Sequence, residues 1–373
     1  MGDSKKRLTV LQVLPALNSG GVERGTMEFA RELVQAGHQS YVVSAGGLMV
    51  EQVEKDGSRH ITMPVHKKSI SSFFQVRPMR QLLQTLKPDV VHIRSRVPAW
   101  IVWLAWRKLP INDRPALVST FHGMYSVNFY SAVMARAEHM IAISDCVYEY
   151  MTQNYPIDPK KITKIYRGLD PSAFHQGVSS ESWRSDLYRQ HPELQDKKII
   201  LMPGRLSRWK GQEAFLNMMA ELIKLNRQCH GVIVGGAEPS KEHYLDELLA
   251  LRDSLGLSEH VSFVGHRSDI NAFYELSDVT CHMSNKAEPF GRTVPEALAT
   301  GTPVVAYNRG GASESLKAAF PRGLVAADNI SVFAQRVSEL LEETHEITLP
   351  EAFYLDYQAN ATIDVYYQLL ASR

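Results

Sequence analysis

The sequence predicts an α/β protein made of two doubly wound domains facing each other. Three observations carry this. Short β-branched runs recur along the chain, each followed by a segment with helical spacing, which is the pattern of parallel sheets built from βαβ units. Two such series are divided by a polar stretch from Asp170 to Lys197 that holds Pro171, Gly177, Ser179 and Ser180 and no apolar strand pattern. The length, 373 residues, suits two domains and is enough to bury two substantial cores without disulfides.

In the first series, strands are expected at Leu8–Leu14, Gln39–Val43, Ile61–Val65, Val90–Ile93, Leu117–Thr120, Met140–Ile143 and Ile162–Ile165. Between the first two, Thr26–Ala36 sets Met27, Ala30, Leu33 and Val34 on one face of an amphipathic helix, which Gly37 ends as a C-cap glycine does. In the second series the strands are Ile199–Met202, Val232–Val234, Val261–Val264, Val279–Cys281 and Val304–Ala306, with the clearest helices at Leu245–Leu255 and Val294–Thr300. A last helical pattern, Phe353–Leu370, carries Tyr354, Tyr357, Tyr366 and Tyr367.

Composition excludes several classes. Lys and Arg number 41 against 40 Asp and Glu, a net charge of +1, so no global field attracts nucleic acid and no nucleic-acid partner is expected. Three cysteines, with no Cys-x-x-Cys pair, argue against a secreted disulfide framework and for a reducing cytosol. The charged start, Met1–Lys6, runs straight into a strand pattern and reads as no signal peptide. The most apolar stretch, Val97–Trp106, falls far short of the ~20 residues that span a bilayer. The expected location is cytoplasmic.

In doubly wound sheets ligands sit at the carboxyl ends of strands, and three loops there stand out. The first, after Leu14, reads Asn18-Ser19-Gly20-Gly21-Val22-Glu23-Arg24-Gly25. Paired glycines let backbone approach a ligand and the following helix aims its N–H groups at it, although a tight turn alone would use the same residues. Thr26 stands where a P-loop needs lysine. The second, Gly204-Arg205-Leu206-Ser207-Arg208-Trp209-Lys210-Gly211, offers the planar fork of Arg205 and the point charge of Lys210, which together suit a diphosphate. The third runs from Glu288 through Pro289, Phe290, Gly291, Arg292, Thr293 and Val294 to Pro295 and Glu296. Its amides from Gly291 to Val294 are expected to be free for an anion, while Thr293 and Glu296 have capping-box spacing, an alternative use for Glu296.

Taken in order, Gly-Gly-Val-Glu-Arg-Gly, Gly-Arg-x4-Lys-Gly and Glu-x7-Glu resemble the retaining GT-B glycosyltransferases of family 4, in particular the bacterial enzymes of lipopolysaccharide and other cell-envelope glycans. Thr120-Phe121-His122-Gly123 and Arg167-Gly168-Leu169-Asp170 extend the resemblance, which covers nearly the whole chain. It implies two Rossmann-like domains facing a central cleft. Residues 1–170 are then the acceptor-side domain, residues 171–352 bind the nucleotide sugar, and residues 353–373 pack back on the first domain.

The resemblance also implies roles. Arg205 and Lys210 grip the donor diphosphate, Glu288 lies near the transferred sugar, and Glu296 bonds the ribose. Phe290, Gly291, Arg292, Thr293 and Val294 form the loop that presents amides to phosphate and sugar. Gly20 and Gly21 approach the diphosphate from the opposite domain, His122 lines the cleft near the sugar, and His266 and Arg267 contact the base, largely through backbone. Catalysis thus falls to Glu288, His122, Arg205 and Lys210. No metal is implied, since no Asp-x-Asp occurs, and no cofactor, since the UDP- or GDP-linked donor is a substrate. A non-catalytic nucleotide-sugar-binding protein and an epimerase on the same fold are the alternatives.

Cys281-His282-Met283 has no further ligand at metal spacing, and Trp100, Trp103 and Trp106 read first as core packing. Lys67, Lys68, Arg77 and Arg80 cluster around Phe73 and Phe74, and Trp103, Trp106, Arg107 and Lys108 form a second basic-aromatic group. They motivate the further expectation of a glycan or lipid-linked acceptor and a peripheral contact with anionic lipid at the inner face of the cytoplasmic membrane.

Overall fold

The computed structural model describes residues 6–18, 20–225, 228–237 and 242–373; residues 1–5 of the charged start and Ser19 of the first loop lie outside the described residues. The chain divides into two units, Met1–Gly168 with Tyr354–Arg373, and Leu169–Phe353.

The first unit holds strands β1 (Thr9–Val13), β2 (Gln39–Ser44), β3 (Arg59–Thr62), β4 (Val90–Ile93), β5 (Ala116–Phe121), β6 (His139–Ala142) and β7 (Ile162–Lys164). They pair in parallel in the order β3-β2-β1-β4-β5-β6-β7. The second holds β8 (Lys198–Pro203), β9 (Cys229–Val234), β10 (Val261–Gly265), β11 (Val279–His282), β12 (Val304–Tyr307) and β13 (Leu324–Val325), in the order β10-β9-β8-β11-β12-β13. Each sheet reverses direction beside its first strand, the doubly wound order. The central strands β4 and β5 are buried along their length and β8 from Ile199 onward, as mainly apolar strands are when helices cover both faces.

The helix after β1 spans Gly21–Gln35, starting ahead of the amphipathic pattern, with Gly20 as its N-cap and Gly21 as its first residue. It ends as Gly37 predicts: Gly37 has φ +83°, its N–H donates to Val34, and the His38 N–H donates to Leu33, a Schellman closure. The final helix, Leu355–Ala371, belongs to the first unit and buries Ala359, Ile363, Val365 and Tyr366 among Leu8, Val10, Phe29, Val90 and Val118. Gly168 is where the chain crosses it: a Cβ there would lie 2.5 Å from Leu355 Cα.

The polar divider is more structured than its composition suggests. Glu181–Gln190 is a helix, capped by Ser180 Oγ accepting from the Trp183 N–H at 3.1 Å. Only Leu187 of this helix is buried, so no apolar stripe announces it; Trp183 anchors it edge-on against Phe273 at 5.2 Å. β13, two residues long, also gives no readable pattern.

Candidate active site

In the second unit the loops after β8 and β11 are stitched into one surface. Gly211 has φ +84°, and a Cβ there would fall 2.0 Å from the Met283 carbonyl, so only glycine lets the first loop pass so close to the second. The Asn285 N–H donates to the Trp209 carbonyl at 2.8 Å, and Asn285 Nδ2 donates to the Arg208 carbonyl at 2.6 Å. Buried Gln212 braces the loop from behind, donating to the Arg205 carbonyl at 3.1 Å.

This stitching brings Lys210 to Glu288. Lys210 Nζ lies 2.7 Å from Glu288 Oε1, the same oxygen accepts from Ser284 Oγ, and His282 Nε2 stands 3.6 Å away. Glu288 is only 9% exposed. Burial opposes its charge, but His282, Lys210 and the Ser284 hydroxyl outweigh that and draw its pKa down to about 2. Burial in turn lowers the pKa of His282, whose Nδ1 meets Thr293 Oγ1 at 3.0 Å. At neutral pH His282 is therefore uncharged, and the lysine with the serine hydroxyl holds the carboxylate.

Behind Glu288 the backbone is equally constrained. The Gly311 N–H donates to the Glu288 carbonyl at 2.8 Å, and Gly310, with φ +62°, would place a Cβ 2.7 Å from that oxygen. Gly291, with φ +74°, passes the Ala312 methyl closely, and Phe290 is buried with its ring 6.4 Å from Phe353.

The helix Thr293–Ala299 begins here, and it corrects two expectations. The Val294 N–H donates to the Gly291 carbonyl at 3.1 Å and so is not free for an anion. Nor is there a capping box: Thr293 lies within the helix and spends its hydroxyl on His282, while Glu296 accepts from Arg292 Nε at 2.9 Å and from the Tyr274 hydroxyl at 3.0 Å. Elsewhere in this unit Arg205 is exposed in the first loop, and His266 is exposed after β10. Arg267 is paired with Asp269 at 2.7 Å, which also accepts from Trp183 Nε1.

In the first unit the residues after β1, β4, β5 and β7 gather separately. Gly20 has φ +143° and precedes the helix that opens at Gly21. A Cβ on Gly21 or Gly25 would lie 2.9 or 2.7 Å from the Arg167 guanidinium, so the missing side chains make room for a cation on the helix's first turns. His122 presents two buried ring nitrogens with no hydrogen-bond partner. Burial, with Arg94 and Arg167 nearby, holds its pKa well below 6.5, so the ring is neutral. Arg94 is fully buried, donates to Gln12 Oε1 at 2.6 Å and keeps a pKa of about 10.

Arg94, His282, Ser284 and the Gly310–Gly311 pair carry no signal in the sequence, although Arg94 directly follows β4, His282 closes β11, and the others lie two to four residues past a strand end. His282 reads in the sequence only as part of Cys281-His282-Met283, and Arg94 stands alone, because an isolated arginine or serine after a strand has no motif around it.

Residues 19–173 match the family model for Glycosyltransferase Family 4 and residues 184–354 that for Glycosyl transferases group 1. The spore coat protein SA of Bacillus subtilis (strain 168) is 27% identical over 270 residues, 69% of this chain and 70% of that protein. Among solved structures, a glycosyltransferase from Rickettsia africae ESF-5 superposes with a TM-score of 0.82 at 27% identity, covering 98% of this chain and 99% of that one. Anabaena Alr3699/HepE in complex with UDP and glucose gives 0.73 at 22% identity, covering 98% of both chains, and shares the fold.

Proposed function

Because this chain is a GT-B glycosyltransferase, we propose that it moves a sugar from a UDP- or GDP-linked donor to an acceptor hydroxyl, with retention and without a metal, in the synthesis of lipopolysaccharide or another cell-envelope glycan. The observation that carries this reading is the buried, ionised Glu288 held by Lys210 in the loop that also bears Arg205.

The chemistry asks for that arrangement. As the bond from the anomeric carbon to the diphosphate oxygen breaks, its electron pair leaves with the nucleoside diphosphate. Lys210, held by Glu288, and Arg205 are the cations for that developing charge, which a preorganised site stabilises without reorganising. Glu288, unprotonated at any physiological pH, accepts hydrogen bonds from sugar hydroxyls. Retention with no separate nucleophile routes the acceptor proton to the departing phosphate oxygen on the face that the acceptor attacks. In the first unit the neutral ring of His122 can donate one hydrogen bond and accept another from a hydroxyl. The donor is a substrate, and no resident cofactor is invoked.

A lipid-linked acceptor at the inner face of the cytoplasmic membrane is supported by the first unit's surface, where Phe73 and Phe74 are 49% and 78% exposed among basic side chains. The second basic-aromatic group contributes less: Trp106 Nε1 donates to the Pro115 carbonyl, and Arg107 and Arg136 stack on Trp103. No helix of the described residues is long and apolar enough to cross a membrane.

Thermal melting of the full chain against UDP-, GDP-, ADP- and dTDP-sugars, with and without EDTA, tests the reading. A UDP- or GDP-sugar should raise the melting temperature equally in both conditions. A rise that requires Mg²⁺ or Mn²⁺, or no rise with any donor, would overturn it.

A further inference from the structure

The first unit contains a cavity of about 660 Å³, within the range of small-molecule sites and separate from the His122 cluster. It opens where the chain leaves β3, β4 and β5. Its apolar wall comes from Phe73, Val97, Trp100, Ile101 and Phe129, and its charged wall from Lys67, Lys68 and Arg96. No acidic residue lines it, and among the described residues none of the three cations is paired with a carboxylate. Arg96 lies instead over the Tyr125 and Tyr130 rings, 4.8 and 5.3 Å from their centres.

Within the apolar wall, Trp100 is held by several contacts. Trp100 donates from Nε1 to the Tyr130 carbonyl at 2.9 Å, stacks at 5.0 Å on Phe129 and meets Trp103 edge-on at 5.8 Å. The rim is not covered: Phe129 is 73% exposed and Phe73 49%. Three cations facing a greasy floor, in a chain whose net charge is only +1, are complementary to one kind of molecule.

We propose that this cavity binds the chain of an anionic membrane amphiphile, with the phosphate of its headgroup on Lys67, Lys68 and Arg96, and that this lipid phosphate is the acceptor's anchor. The proposal rests on the glycosyltransferase reading for its meaning but not for its test. Apolar area is buried along the tail while the phosphate replaces water on the cations, so tail and head are both required.

The test uses the full chain with dodecyl phosphate below its micelle concentration, dodecyltrimethylammonium as the same tail with the opposite charge, and inorganic phosphate. Dodecyl phosphate should bind saturably at one site, and each of the other two at least ~10-fold (about 1.4 kcal/mol) more weakly, the cationic amphiphile because it loses the headgroup attraction and inorganic phosphate because it has no tail to bury. The double variant Lys67→Glu/Lys68→Glu, at exposed positions, should weaken dodecyl phosphate by at least ~10-fold with unchanged thermal melting. A tail brominated at its end should quench tryptophan fluorescence, and Trp100→Phe should abolish most of that quenching. Equal affinity for the cationic amphiphile, binding of inorganic phosphate alone, quenching that survives Trp100→Phe, or tight binding of a soluble glycan or a protein at this face with no amphiphile binding would each overturn the proposal. Release of nucleoside diphosphate, followed in parallel, separates the two readings. Lipid binding without release sinks the enzyme reading alone, and release without lipid binding sinks this site alone.

Discussion

Lys210 and Glu288, 78 residues apart in sequence, form a 2.7 Å ion pair in which the carboxylate is almost wholly buried and the ammonium is about one quarter exposed. The pair exists because Gly211 lets the loop after β8 lie against the Met283 backbone. Removing one partner therefore leaves a buried charge rather than a vacant surface. Lys210→Met should destabilise the protein by about 3 kcal/mol, and adding Glu288→Gln should recover more than ~1 kcal/mol of it. Denaturant melts of the two single variants and the double variant check this through the double-mutant cycle.

The loop stitching is steric before it is electrostatic. Gly211→Ala adds a methyl that overlaps the Met283 carbonyl at 2.0 Å and forces alanine to φ +84°. The backbone conformation alone costs roughly 1–3 kcal/mol, and the overlap adds to it. Gly37→Ala has the same positive φ but open space around it, so it should cost only the backbone share, ~1 kcal/mol. Comparing the two melting temperatures separates the contributions.

Acid should destabilise the chain in two stages. Burial lowers the pKa of His230 from 6.5 to about 4, so the unfolded chain binds more protons between those values and stability falls as pH drops below 6.5. His92, His122 and His282 are lowered by burial too and act with the same sign. Below about 4.5 Glu288 takes over, since its native pKa is about 2: stability that is present above 4.5 is lost as pH falls toward 2. A fall from 4.5 to about 2 corresponds to roughly 3 kcal/mol. Melts across pH 2 to 8 should show both limbs, and His230→Gln should flatten the upper one.

Much of this was legible in the sequence, and the reasons differ by residue. Strands such as β4 and β8 are short, mainly apolar runs that are largely buried, and Gly37 marks its helix end without ambiguity. The helix Glu181–Gln190 was hidden because a helix that buries only Leu187 has no stripe to read. Lys210 and Glu288 stood out as members of charged motifs, but their contact depends on Gly211 meeting Met283, a long-range fit with no local pattern. Thr293 and Glu296 had the spacing of a capping box, yet His282, Arg292 and Tyr274 compete for their side chains and win. The cavity near Trp100 arises where the segment after β3, the helix Arg96–Trp106 and the loop after β5 meet, and of its lining only Lys67, Lys68 and Phe73 stand out in the sequence as a basic-aromatic group.

The most direct measurement is the rate of nucleoside diphosphate release from UDP- and GDP-sugars by the full chain, in EDTA, for the parent protein and for Glu288→Ala. The parent should release nucleoside diphosphate from at least one donor. The variant should be slower by ~10²–10³-fold, the usual effect of removing one preorganised group, while nucleotide itself still raises its melting temperature. No release from any donor by the parent, or equal rates for the two proteins, would contradict the account.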